Sequence, residues 1–181
     1  MKAISPVIAT VIIVAVAIAI SIAVALWITG LTSSFTGVEK LEIVNAYAEA
    51  KTGVNATGTP NHTLTYWVVH VIIKNTGTKT ATIDQIFINN KPGDITKANY
   101  TKDDITWKTI ESTGLSVNPG ETVKIMFNLT SEFNSVGKVF DNETGKEIFP
   151  IVTDTFSSGQ TVSIVIHTAS GGQYPATITL P

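Results

Sequence analysis

The N-terminal part of the chain contains one long apolar run, and this run limits the possible folds more than any other feature. Between Lys2 and Glu39 lie 36 consecutive uncharged residues, and Val7–Ile28 is interrupted only by Thr10 and Ser21. As a helix rising about 1.5 Å per residue, these 22 residues would be about 33 Å long, which is enough to cross the hydrocarbon core of a membrane. A helix that is apolar on every side is surrounded either by lipid or by other helices.

The residues that flank the run are suited to the ends of a helix. Ser5 is a good N-cap, and Pro6 fits the first helical position. Many residues of the run are β-branched, but only a helix satisfies its own backbone hydrogen bonds in an apolar environment. We expect Gly30 to be an end or hinge of the helix, and residues 31–38 to form the helix end and a hinge.

Two other roles for the run are a simple membrane anchor and a signal peptide. A signal peptide fits the positive start and the apolar run. However, the run exceeds the usual apolar region of about 7–15 residues, and no clear small-x-small cleavage site follows it. The small residues within the run are spaced by four, which permits close packing between helices, although an Ala-rich helix produces such spacings by chance. They form the sets Ala15, Ala19 and Ala23, and Ala17, Ser21 and Ala25.

Residues 2–15, with the sequence KAISPVIATVIIVA, closely resemble the N-terminus of archaeal type IV pilins and archaellins. The resemblance covers about residues 2 to 30. It implies that a prepilin peptidase cuts a short basic leader, here between Lys2 and Ala3, before the helix packs into the core of a filament. The sequence has no acidic residue before Glu39, which differs from bacterial type IV pilins and favours the archaeal branch. Because Met1 and Lys2 are part of this chain, either it is not cut there or a leader lies upstream.

The remainder of the chain reads as β structure. Turn signals separate the strands, and no helical period is evident after residue 38. The candidate strands are Leu41–Ala50, Leu64–Ile73, Ala81–Asn89, Ile105–Glu111, Val123–Leu129, Ile148–Val152, Thr161–Thr168 and Ala176–Leu180. Seven or eight short strands predict a two-sheet sandwich of immunoglobulin-like architecture. The fold class is therefore α+β, with a helix and hinge over residues 1–36 and an all-β domain over residues 37–181.

Two short segments add a weaker resemblance to the β domains of archaellins and archaeal pilins. The first is Ile73-Lys-Asn-Thr-Gly-Thr, and the second is Asn118-Pro-Gly-Glu-Thr-Val.

Composition excludes several classes of function. The chain has no Cys and no Arg, its 12 basic residues are all Lys, and its net charge is −2, so a disulfide framework, a thiolate site and a nucleic-acid interface are not expected. The histidines His62, His70 and His167 have no metal-ligand spacing. No nucleotide-binding loop or nucleophile motif is present. We therefore expect no enzyme activity, cofactor or metal.

Asparagine-linked glycosylation sequons are a positive signal. All have Thr at the third position, at Asn55, Asn61, Asn99, Asn128 and Asn142. We expect them in loops or at outward strand positions, and at least two of them to be modified if the domain lies outside the cytoplasm. The alternative is a β surface that is simply rich in Thr and Asn.

The sequence predicts a structural subunit of an archaeal type IV pilus-like extracellular filament that polymerises through its N-terminal helix and serves surface adhesion. Its partners would be copies of itself and, before assembly, the cytoplasmic membrane, with Lys2 on the cytoplasmic side and the β domain outside. The resemblance also implies a prepilin peptidase, an ATPase and a membrane platform. The alternatives are an archaellin of a swimming filament and a membrane-tethered β-sandwich binding module.

Overall fold

The structure is a computed structural model that describes residues 6–35, 37–55, 62–131 and 139–181. Contacts between residues divide the chain into two compact units, Met1–Gly37 and Val38–Pro181. The order of the elements, one helix followed by strands arranged in two sheets, confirms the α+β prediction.

The first unit contains helix α1, which runs from Pro6 to Phe35. The helix does not end at Gly30 but continues for another turn to Phe35, which lies within residues 31–38, where the sequence predicts the helix end. Glycine within a helix costs only about 1 kcal/mol relative to alanine, which a long apolar helix tolerates. The hydroxyl groups of the run bond within the helix: Ser21 Oγ donates to Ala17 O at 2.7 Å, and Thr29 Oγ1 donates to Ala25 O at 2.8 Å.

The second unit is a β domain of two sheets. The eight-stranded sheet, called the large sheet here, consists of β1 (Leu41–Asn55), β2 (His62–Asn75), β5 (Asn99–Thr101), β6 (Lys108–Thr109), β8 (Thr122–Thr130), β9 (Val139–Asp141), β10 (Glu147–Ile148) and β11 (Pro150–Thr155). The five-stranded small sheet consists of β3 (Ala81–Ile88), β4 (Lys91–Pro92), β7 (Leu115–Val117), β12 (Thr161–Thr168) and β13 (Gln173–Thr179). A single 3₁₀ turn, Ile95–Lys97, lies between β4 and β5.

Strand order shows how the chain alternates between the sheets. The large sheet runs β10-β9-β1-β2-β8-β5-β6, with β11 pairing parallel to β8, and the small sheet runs β13-β12-β3-β4, with β7 also pairing with β3. All other pairs are antiparallel. Two facing, mainly antiparallel sheets form the two-sheet sandwich that the sequence predicts, with more strands than the seven or eight expected.

The core lies between the two sheets because each strand alternates buried and outward residues. In β8 the residues Val123, Ile125, Phe127 and Leu129 are buried, and Val162, Ile164 and Ile166 play the same part in β12. These residues belong to one apolar cluster with Trp67, whose Nε1 donates to the carbonyl oxygen of Pro181 at 3.1 Å. The terminal strand region is thereby held against the core.

Two strand predictions were wrong in part. Ile105–Glu111 was predicted as a strand, but only Lys108–Thr109 pairs, because the Asp103 carboxylate accepts the N–H groups of Ile105 and Thr106 and holds the backbone in a turn. Ile148–Val152 is divided between β10 and β11, which pair with different strands on either side of Phe149.

The two segments of the weaker resemblance meet at one corner of the β domain. Asn75 N donates to Glu121 O at 2.9 Å, and Gly120 N donates to Asn75 O at 2.8 Å. The fully buried Asn75 side chain also donates to the carbonyl oxygens of Lys79 and Val117, both at 2.8 Å. Separate turns in the sequence therefore form one hydrogen-bonded corner.

Candidate functional sites: the apolar helix and the acceptor asparagines

The surface of α1 is apolar and has no packing partner within its unit. Its span Pro6–Leu31 covers 26 residues, long and apolar enough to cross a membrane, and none of its most apolar window is buried. The large side chains are exposed on all sides, and Ile13 and Leu26, for example, are 67% and 69% exposed. By its length and composition, the helix fits a membrane anchor or a signal sequence.

The predicted packing residues are exposed and fall on two faces of α1. Successive residues of a helix are rotated by about 100°, so residues two apart lie about 200° apart. The set Ala15, Ala19 and Ala23 therefore lies nearly opposite the set Ala17, Ser21 and Ala25. Because Ser21 bonds to Ala17 O within the helix, the second face presents no unsatisfied hydroxyl donor. Each helix thus has two sides that permit close approach by another helix.

The predicted leader cleavage site between Lys2 and Ala3 lies outside the described residues. Asn61 also lies outside them, and Asn55 ends β1 with its side chain undescribed. The structure therefore describes the surroundings of three acceptor asparagines, at positions 99, 128 and 142.

These three asparagines lie on the large sheet or in one of its turns. Asn99 begins β5, where it pairs with Thr109 and Met126. Asn128 lies in β8, half-buried at an outward position between Val68 and Pro150. Asn142 is exposed in the turn between β9 and β10. Within the described residues, no sequon falls on the small sheet.

A shallow depression of about 320 Å³ lies on the large sheet beside Asn128. Its lining is mixed and includes the apolar Met126 and Val68 and the charged Glu49 and Lys146. His70 also lines it and stacks on Tyr47, with ring centroids 4.9 Å apart. Burial lowers the pKa of His70, so this face carries a neutral ring at neutral pH.

One buried polar pair closes the end of this depression. The hydroxyl of Tyr66 donates to the Asp141 carboxylate, which also accepts the backbone N–H of Glu143. Hydrogen bonds to its carboxylate lower the pKa of Asp141 to about 2, and the bond from the Tyr66 hydroxyl contributes most. Burial, followed by the bond to Asp141, raises the pKa of Tyr66. The pair fixes the turn that carries Asn142.

The histidines are separated in the fold. His70 lies on the large sheet, whereas His167 lies on the small sheet with its Nδ1 2.7 Å from Asp84 Oδ1. The side chain of His62 is undescribed. Across the described ranges, no three His, Asp or Glu side chains come together in a way that could hold a metal ion.

Sequence reasoning did not find the depression or the exposed loop after β5. In that loop Ile105 is 84% exposed and Trp107 is 41% exposed. The alternation of apolar residues there predicted a strand. The preceding Asp103-Asp104 pair is typical of a solvated turn, and this prediction is confirmed, because Asp103 accepts the N–H groups of Ile105 and Thr106.

A scan against models of known protein families finds no match, and a search of curated proteins finds no significant similarity. The geometry of the two units therefore carries the functional argument.

Proposed function

We propose that this chain is a structural subunit of an extracellular, archaeal type IV pilus-like filament that polymerises through α1 and serves surface adhesion. The observation that carries the proposal is the unburied apolar span Pro6–Leu31, joined to a β domain with its own core. Exposing the span to water, instead of lipid or other copies of the helix, would cost about 0.8 kcal/mol per CH₂ group. A stable water-soluble monomer is therefore not expected.

The two small-residue faces favour a filament over a closed dimer. A helix that contacts one neighbour through the Ala15-Ala19-Ala23 face still presents the Ala17-Ser21-Ala25 face to another. Repeating such a heterologous contact without closure produces a helical polymer. In this proposal α1 leaves the membrane and enters a bundle of identical helices, while the β domain forms the outer layer.

Two alternatives remain with specific tests. An archaellin would assemble in the same way, and loss of swimming in a deletion strain would identify it. A membrane-tethered binding module is favoured by one observation, the depression lined by Val68, Met126 and Asn128. Such a module would remain in the membrane fraction and form no filaments.

A single-residue comparison tests the packing. Ala19→Leu adds an apolar side chain to a small-residue face, so membrane insertion is retained while close helix approach is blocked. Ile20→Leu places the same side chain at the neighbouring position, midway between the two faces, and is the matched control. We expect sheared filament yield to fall for Ala19→Leu alone, measured by electron microscopy and by the amount of chain in the sheared fraction. Equal filament yields for both variants would contradict the proposal.

A further inference from the structure

The three described sequons differ in how the fold presents the hydroxyl group of their third residue. Thr130, which follows Asn128, is 1% exposed, and Thr101, which follows Asn99, is also 1% exposed. Thr144, which follows Asn142, is exposed. A sequon is defined by both the acceptor amide and this hydroxyl, so a transferase must reach both groups.

The Asn128 sequon is enclosed by paired strands. Thr130 pairs with Tyr66 of β2 on one side and with Thr155 of β11 on the other. Its carbonyl oxygen accepts the N–H of Phe156 at 3.0 Å. Presenting this segment to a transferase would require β8 to leave the sheet, which exposes the core residues on its other face.

The hydroxyl of Thr130 has no structural role among the described residues. Its Oγ1 is buried and has no hydrogen-bond partner there. Buried polar groups are nearly always paired, so an unpaired one calls for a separate reason. Valine has a similar shape without that group, and the sequon provides the reason for a threonine here.

The Asn99 sequon is also held within the fold. Thr101 Oγ1 donates to Asp103 Oδ1 at 2.8 Å, and Asn99 Oδ1 accepts from Thr109 Oγ1 at 3.1 Å. Both ends of this sequon are therefore bonded in strands that pair with β8 and β6.

The Asn142 sequon has the opposite environment. It occupies the turn that joins β9 to β10, closed by the bond from Gly145 N to Asp141 O at 2.9 Å. Asn142 and Thr144 both face solvent there. The Thr144 hydroxyl donates to Asp141 at 2.8 Å and accepts from Lys146 N at 3.5 Å. Both bonds lie within the turn and the residue is exposed, so a transferase can reach it without unfolding a strand.

We propose that the sequons form two classes: Asn142 accepts a glycan in the folded domain, whereas Asn99 and Asn128 accept one only before β5 and β8 join the large sheet. In the reaction, the Asn Nδ2 forms a bond to the anomeric carbon of a sugar carried on a polyprenol phosphate. The bond from that carbon to the phosphate oxygen breaks, the phosphate leaves with the electron pair, and an amide proton passes to a base. The fold thereby sets the order of modification, whether or not the chain forms filaments.

The test compares the full chain, folded in detergent micelles, with peptides that carry each sequon. All are incubated with an oligosaccharyltransferase and a polyprenol-linked oligosaccharide, and mass spectrometry measures the initial rate at each asparagine. We expect all three peptides to be accepted. For Asn99 and Asn128 the folded chain should react at least about a hundredfold more slowly than the peptide, because a paired central strand opens only with much of the domain. For Asn142 the two rates should agree within about tenfold, since exposed turns need no such opening.

Two variants distinguish access of the transferase to the Asn128 sequon from its recognition of the hydroxyl at position 130. Thr130→Val in the Asn128 peptide should abolish acceptance, and Thr130→Ser should retain it. Equal rates at Asn128 in the folded chain and the peptide would overturn the proposal. An unreactive Asn142 in the folded chain would also overturn the proposal, and so would a failure of the transferase to accept any of the peptides. Filament formation is not measured in any arm, so failure here is distinct from failure of the pilus proposal.

Discussion

The side-chain nitrogen of Asn75 lies 2.8 Å from the carbonyl oxygen of Val117, inside the corner where the ends of β2 and β7 meet. The same nitrogen donates to Lys79 O, and the side-chain oxygen accepts from Gly77 N at 2.9 Å. One buried amide thus satisfies three backbone groups from two separate turns.

Replacing this amide should destabilise the β domain. Asn75→Ala removes three hydrogen bonds and leaves the buried carbonyl oxygen of Val117 without this donor, which we expect to lower the free energy of unfolding by about 3 kcal/mol. Chemical denaturation of the chain in detergent micelles measures the change. The control is Asn118→Ala, which loses one exposed bond from Thr80 and should change stability by no more than about 0.5 kcal/mol. A loss for Asn75→Ala no larger than about 0.5 kcal/mol would contradict the prediction.

The buried hydroxyl of Thr130 should slightly destabilise the β domain. Thr130→Val removes a group that has no partner among the described residues, so the free energy of unfolding should rise by about 1 kcal/mol. Thr101→Val is the matched comparison, because it removes the bond to Asp103 and should lower stability by about 1 kcal/mol. Thermal unfolding of both variants, followed by circular dichroism, tests the opposite signs. A destabilised Thr130→Val chain would mean that this hydroxyl does have a native partner.

Acid should weaken the turn that holds Asn142. The folded pKa of Asp141, about 2, lies below the ordinary value of 3.8, so the unfolded chain takes up the proton first as pH falls. The stabilisation is therefore complete above about pH 4 and is lost between about pH 4 and pH 2, with a contribution of about 1 kcal/mol after solvent screening. Asp141→Asn should flatten the stability profile in this window.

Two further variants complete the acid test. Tyr66→Phe removes the largest contribution to the lowered pKa of Asp141 and should raise that pKa, as seen by carboxyl NMR. Asp154→Asn, which alters an exposed ion pair with Lys91, should leave the acid profile nearly unchanged. Because turn hydrogen bonds also lower the pKa of Asp103, part of the acid sensitivity should persist in every variant. An unchanged profile in Asp141→Asn would contradict the assignment.

A charge within α1 should block assembly without unfolding the β domain. Ala19→Asp places a carboxylate on a face that the proposed filament buries, and an unpaired buried charge is strongly unfavourable. We expect no filaments from this chain, while circular dichroism shows the β signal unchanged. Thr179→Asp, at an exposed position of β13, is the control and should assemble normally. Normal filaments from the Ala19→Asp chain would exclude a buried helical core.

The parts of the fold whose apolar residues follow a strong periodic pattern were predicted best from the sequence. The limits of β12 were predicted correctly because Val162, Ile164 and Ile166 alternate with polar residues between clear turns. The helix was predicted because nothing else satisfies the backbone of so long an apolar run, and its end at Phe35 lies within the predicted segment 31–38.

The remaining features depend on contacts between distant residues. The three-residue strand β9 and its partner β10 carry no periodic signal, and the Tyr66–Asp141 pair joins residues 75 positions apart. The sequence therefore located the sequons but could not distinguish the exposed Asn142 from the enclosed Asn128 sequon. That distinction depends on which strands flank each residue.

Electron cryo-microscopy of material sheared from cells tests the central claim most directly. The account predicts filaments built from this chain, with α1 helices packed at about 8–10 Å between axes in the core and the β domains outside. Absence of filaments, with the intact chain recovered only as a monomer in the membrane fraction, would contradict it.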